Sequence, residues 1–104
     1  MKITQGQVTV NESPVKSNLF RYCEKKIDQW LETHEASIAS ITEPAEFRVS
    51  FTEEPESKQV SCVTEIQFGS RILRGCDVDG NSQSAFLHSL KHLHTAVPTA
   101  EQYV

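Results

Sequence analysis

The sequence predicts an α+β domain: a single four-stranded sheet with two helices packed on one face. Three observations point there. Several segments alternate apolar and polar residues at the two-residue period of a strand. Two others repeat apolar residues at helical spacing. The chain of 104 residues is long enough for one hydrophobic core and too short for two. One domain is expected over 1–98, with 99–104 as a C-terminal tail.

Ile3 to Val10 reads as the first strand, with Val8-Thr9-Val10 its β-branched end and Gly6 a candidate bulge. Asn11-Glu12-Ser13-Pro14 reads as a turn into a helix, with Ser13 as N-cap and Pro14 at the first helical position. Phe20, Cys23, Ile27, Trp30 and Leu31 then form a core stripe, with Tyr22, Lys25, Lys26 and Gln29 pointing the other way. No stop signal follows until Pro44, so 35–44 is read as a connection.

Glu46 to Thr52 is a strand with Phe47, Val49 and Phe51 on one face, closed by the acidic turn Glu53-Glu54-Pro55-Glu56-Ser57. Val60, Cys62, Ile66 and Phe68 make the next inward face, and a further strand runs from Ile72 to Val78. A two-residue turn at Gly69-Ser70 would pair Ile66 with Leu73. A three-residue loop, Gly69-Ser70-Arg71, would pair Cys62 with Val78 and Thr64 with Cys76. The second buries more apolar surface and is preferred, with Arg74 leaning inward; a slip of one residue reverses every side chain. Asp79-Gly80-Asn81-Ser82 then opens a last helix to about His94, with Phe86, Leu90 and Leu93 inward and Pro98 marking the stop.

The formal charge of −4 is local. Glu43, Glu46, Glu53, Glu54 and Glu56 face only Arg48 within 43–56, and the rest of the chain cancels. Tight nonspecific nucleic-acid binding is disfavoured, while a basic face elsewhere is compatible with the total. No apolar run approaches the ~20 residues that span a bilayer, and the N-terminus lacks the pattern of a signal peptide; a cytoplasmic protein is expected. Cys23, Cys62 and Cys76 include no CxxC pair and fall on apolar stripes, which suits buried reduced thiols.

Three constellations bear on function. His88 and His92, four apart on one helix, are a candidate metal pair, but they sit about 200° and 240° round the helix from Phe86, where two solvated imidazoles are the plainer reading. The carboxylate pairs Glu53-Glu54 and Asp77-Asp79 lie in or beside turns, with no sign of a cleft that would tune them for acid–base work. No catalysis and no cofactor are expected. Third, Arg21, Lys25 and Lys26 surround Tyr22 on the first helix, and His88, Lys91 and His92 face out on the second. If the helices share one side of the sheet, they form a mildly basic, partly aromatic surface suited to phosphates.

The order strand, helix, strand, strand, strand, helix resembles the ribosome hibernation-promoting and ribosome-associated inhibitor family over roughly residues 1–95. The likeness is best at Val8-Thr9-Val10 leading into the first helix. It is good again at Asp79-Gly80-Asn81-Ser82 followed by Ala85-Phe86, similar to that family's acidic residue, glycine and helix start with a small residue on the packed face. The resemblance implies a domain in the small-subunit decoding channel, held by basic helix residues on ribosomal RNA. Carried across, Arg21, Lys25, Lys26 and Lys91 would contact phosphates and Tyr22 would stack on a base or sugar. The chain departs from the family in its last helix, Ser89-Leu90-Lys91-His92-Leu93-His94, which is poor in lysine and arginine, and in Ser82, where an aspartate is usual. The competing class is a homodimeric interaction module or accessory protein, using an edge strand or the open sheet face, where Val63 and Leu73 are expected.

Overall fold

The computed structural model describes residues 3–33, 45–68 and 71–95. The elements in chain order are β1 (Ile3–Val10), β2 (Ser13–Pro14), α1 (Asn18–Thr33), β3 (Ala45–Glu54), β4 (Gln59–Phe68), β5 (Arg71–Asp79), α2 (Ser82–Lys91) and β6 (His94–Thr95). One six-stranded sheet runs β2-β1-β3-β4-β5-β6. Its four long strands are those expected; a two-residue strand at each edge adds to the expected four. The connection 35–44 and the tail 99–104 lie outside the described residues.

The strand count differs first after β1. Asn11 and Glu12 adopt φ of 50° and 71°, the left-handed pair that closes a two-residue hairpin, and Val10 pairs with Ser13. Asn11 tolerates this conformation and is held there from afar: its Oδ1 accepts the Glu53 N–H at 2.9 Å, and its own N–H reaches the Phe51 carbonyl at 2.8 Å. Ser13-Pro14 is therefore strand rather than helix cap. Ser17 starts α1 instead, its Oγ accepting from the Leu19 N–H at 3.3 Å.

β1 and β3 are parallel, joined through α1, and β3, β4 and β5 form antiparallel pairs. Cys23, Ile27 and Leu31, each four residues on from the last, bury the inner stripe of α1. Phe20 meets Phe47 of β3, and Phe86 of α2 meets Phe51 of the same strand. Both helices thus cover one face. The core holds the expected Cys23, Ile27, Leu31, Phe47, Val49, Phe51, Cys62, Ile66, Phe86 and Leu90, with Phe20, Trp30 and Leu93 half-buried against it. Val8, Ala45, Val60 and Ala85 complete it.

The β4–β5 hairpin takes the register that apolar area disfavours. Phe68 pairs with Arg71, Ile66 with Leu73, Thr64 with Gly75 and Cys62 with Asp77, so only two residues separate the strands. The face of β5 beneath α2 is Leu73, Gly75, Asp77 and Asp79. The reason lies at Gly75: a Cβ there would overlap the Ser89 carbonyl oxygen and come within 2.9 Å of the Leu93 nitrogen and 3.0 Å of the His92 carbonyl carbon. The α2 backbone rests directly on β5, and only glycine permits that approach.

Leu73 consequently turns to the helices, not to the open face. Arg74 turns outward and pairs with Glu65 at 3.4 Å. Cys76, expected buried, is exposed, and Val78 is 52% exposed.

α2 stops at Lys91 rather than His94. The His92 N–H bonds back to the carbonyls of His88 and Ser89, both at 3.2 Å, the tightened last turn common at helix ends. His94 and Thr95 then pair with Arg74 and Leu73 along the β5 edge. Beneath α2, the fully buried Thr64 and Ser89 satisfy each other: Thr64 Oγ1 lies 2.7 Å from Ser89 Oγ, which donates to the Phe86 carbonyl at 2.7 Å. Cys62 Sγ lies 3.6 Å from Ser89 Oγ.

Candidate functional site

The outer side of α1 carries Arg21 and Lys25 exposed, with Glu24 and Asp28 beside them. Tyr22 and Lys26 differ from expectation. Both are half-buried, because Tyr22 lies in the seam between the helices, its ring edge-on to Phe86 with centroids 6.0 Å apart and planes at 62°. Lys26 Nζ sits 5.8 Å from the Tyr22 ring centroid, within cation–π range. Tyr22 therefore presents its ring to Lys26 and Phe86, and the ammonium of Lys26 is held along the seam. Lys91 is exposed in the last turn of α2, on the side opposite the buried Ala85, Phe86, Ser89 and Leu90.

The acidic turn joins β3 to β4, where Asn11, Glu53, Glu54, Pro55, Lys58 and Asn81 border a cleft of about 550 Å³. Each of its two carboxylates has a local role. Glu53 Oε1 accepts from Asn11 Nδ2 at 3.5 Å, and Glu54 Oε2 from Ser57 Oγ at 3.4 Å. With two carboxylates against Lys58, the cleft is no anion site, even though α2 begins beside it. Asn81 caps that helix through its Oδ1, which accepts from the Ser84 N–H at 2.8 Å.

A second cluster forms where β5 passes under α2. His88 Nδ1 lies 2.9 Å from Asp77 Oδ2 and 3.2 Å from Asp79 Oδ2. His88 is exposed, as expected, but its imidazole is paired, with the two aspartates as its partners; His92 is not a member of this group. The large residues Phe86, Leu90 and Leu93 mark only part of the buried arc of α2. The small residues Ala85 and Ser89, both 0% exposed, widen the arc toward β5 and bring His88 with it. Small residues four apart on α2, opposite a glycine in β5, were the available signal.

The two buried thiols, Cys23 and Cys62, resist ionisation. Burial pushes the Cys23 thiol up to about 12, reinforced by the nearby Cys62. Burial likewise raises Cys62, and hydrogen bonds from Ser89 and Thr64 offset part of that. No helix among the described residues is long and apolar enough to cross a membrane.

An antiparallel β3-β4-β5 unit, a parallel β1 joined to it through α1, and a final α2 on the same face define a fold shared with known proteins. Over 88% of this chain it is similar to the Protein Y N-terminal domain of Thermus thermophilus, at a TM-score of 0.63 and 12% identity, covering 89% of that chain. It is also similar to a ribosomal subunit interface protein from Coxiella burnetii, at a TM-score of 0.56 and 10% identity, with 85% and 87% of the two chains covered. No protein-family model matches the sequence, and no curated protein matches it. The resemblance read from element order holds at the level of the fold.

Proposed function

We propose that this chain is a non-catalytic, ribosome-associated factor that engages structured RNA through the outer side of α1 and the last turn of α2. The observation that carries the reading is the fold likeness across 85–88% of the chain, one of the two similar structures being named for the ribosomal subunit interface. The distribution of charge agrees with it. Arg21, Lys25, Lys26 and Lys91 lie on the helices, while the excess of glutamate lies on β3 and the turn that follows it. Phosphate contacts need cations, and Glu24 and Asp28 beside Arg21 and Lys25 dilute this face. Tyr22 supports the site by holding Lys26 rather than by offering a free face to a base.

The test is co-sedimentation with ribosomes across a salt series. About four phosphate contacts give a log–log salt slope near −3 to −4. The pair Arg21→Glu with Lys25→Glu is expected to abolish association and leave the fold intact, since both side chains are exposed. Lys26→Glu is the poorer probe, because it also removes the contact with Tyr22. Glu53→Gln with Glu54→Gln should leave association unchanged or stronger. If wild type fails to associate at about 50 mM salt, where screening is weak, RNA binding is wrong. A homodimer through the open sheet face then becomes the leading reading. Exposed Val78, on the same side as Val63 and Cys76, supports it, and sedimentation equilibrium would decide it.

A further inference from the structure

We propose that Asp77, Asp79 and His88 form a binding site for a divalent transition-metal ion of the Zn²⁺ class, linking β5 to α2. Asp77 and Asp79 are two apart on one strand, so both carboxylates leave the same face. His88 comes from the other element. The donor atoms of all three lie within 4.8 Å of one another. Hydrogen bonding within the cluster accounts for only part of this convergence. Nδ1 of His88 carries at most one hydrogen, yet two carboxylate oxygens approach it, at 2.9 and 3.2 Å. One N–H serves one of them well and leaves two like charges aimed at the same point. A cation placed among the three donors attracts both carboxylates and takes the imidazole lone pair, the hydrogen then residing on Nε2.

The surroundings fix the donors. The Gly80 N–H binds Asp79 Oδ1 at 2.6 Å, which orients the carboxylate and leaves Oδ2 facing His88, the kind of outer support that metal sites use. Asp77 stands opposite Cys62 in the ladder. Next to His88, the Ser89 backbone lies close against Gly75, which keeps this turn of α2 near β5. Two carboxylate oxygens and one imidazole nitrogen make a mixed set, and the nitrogen favours Zn²⁺ or its first-row neighbours over Mg²⁺ or Ca²⁺. Three protein ligands in a group that is 30–46% exposed by side chain leave the remaining positions to water.

The experiment is titration of Zn²⁺ alone into the intact chain, followed by the imidazole resonances in NMR and by calorimetry. Cys76→Ser is the background, so that the exposed thiol does not compete. One equivalent of Zn²⁺ is expected to shift the His88 ring signals. Asp79→Asn, which keeps the side-chain shape, should weaken binding by at least about tenfold, and Mg²⁺ should leave the ring unmoved. The wild-type ring shift is readable even if a variant folds poorly. No His88 shift with millimolar Zn²⁺, a shift confined to His92, equal affinity in Asp79→Asn, or an equal response to Mg²⁺ would each overturn the assignment. The outcome is independent of ribosome association.

Discussion

Replacing Gly75 with alanine tests the packing of α2 on β5 and, with it, the register of the hairpin. The added methyl would overlap the Ser89 carbonyl oxygen and stand 2.9 Å from the Leu93 nitrogen and 3.0 Å from the His92 carbonyl carbon. All three are backbone atoms, so no rotamer change relieves them. The C-terminal half of α2 must lift, and a gap of 0.5–1 Å forfeits roughly a quarter to a half of each dispersion contact it opens. Overpacking of this kind costs about 1–3 kcal/mol. The alanine recovers about 0.4–1 kcal/mol by restricting the unfolded chain. A net loss of about 1.3 kcal/mol is expected, which for a domain of this size lowers Tm by roughly 5–10 °C. Urea denaturation followed by circular dichroism measures it. Gly80→Ala is the control, because a Cβ there meets nothing within 4 Å, and its effect should stay within about 0.5 kcal/mol. If Gly75→Ala were as stable as wild type, α2 would not rest on this residue. The three-residue loop, which turns Gly75 to the open face, would then be the better register.

Ser89→Ala should cost about 1–3 kcal/mol, since it leaves the buried Thr64 hydroxyl only the Cys62 sulfur at 3.8 Å. Adding Thr64→Val should cost less than the two singles summed, and strict additivity in the double-mutant cycle would show that the two hydroxyls are not partners. A thiol reagent should modify Cys76 quickly in the native protein and reach Cys23 and Cys62 only on unfolding; three fast thiols would contradict their burial. Because burial raises Cys23 from 9.0 to about 12, the unfolded thiol loses its proton first. Its contribution to stability is therefore complete below pH 9 and declines from there to pH 12. Stability curves for wild type and Cys23→Ala should converge over that window, and curves that stay parallel would refute the shift.

The elements legible in the chain alone are those whose signals are local and periodic. Cys23, Ile27 and Leu31 mark the inner side of α1 because a helix repeats every 3.6 residues. Phe47, Val49 and Phe51 mark β3 because a strand alternates. The turn residues Asp79-Gly80-Asn81-Ser82 mark the start of α2. The acidic turn and the exposed Arg21 and Lys25 of α1 were equally legible, since their placement follows from local pattern alone.

The remaining features depend on residues far apart in the chain. Ser13-Pro14 satisfies the local rule for a helix start as well as that for a hairpin, and the choice falls to Asn11 binding the Glu53 backbone 42 residues away. Phe86 draws Tyr22 out of the outward face of α1 and into the helix seam. The hairpin register was misjudged by weighing apolar area alone, whereas the fold requires a residue without a side chain beneath the α2 backbone. That single requirement sets Leu73 inward and Cys76 outward. It also brings Asp77 and Asp79 under His88, a cluster with no sequence motif, because its members meet only where a helix crosses a strand.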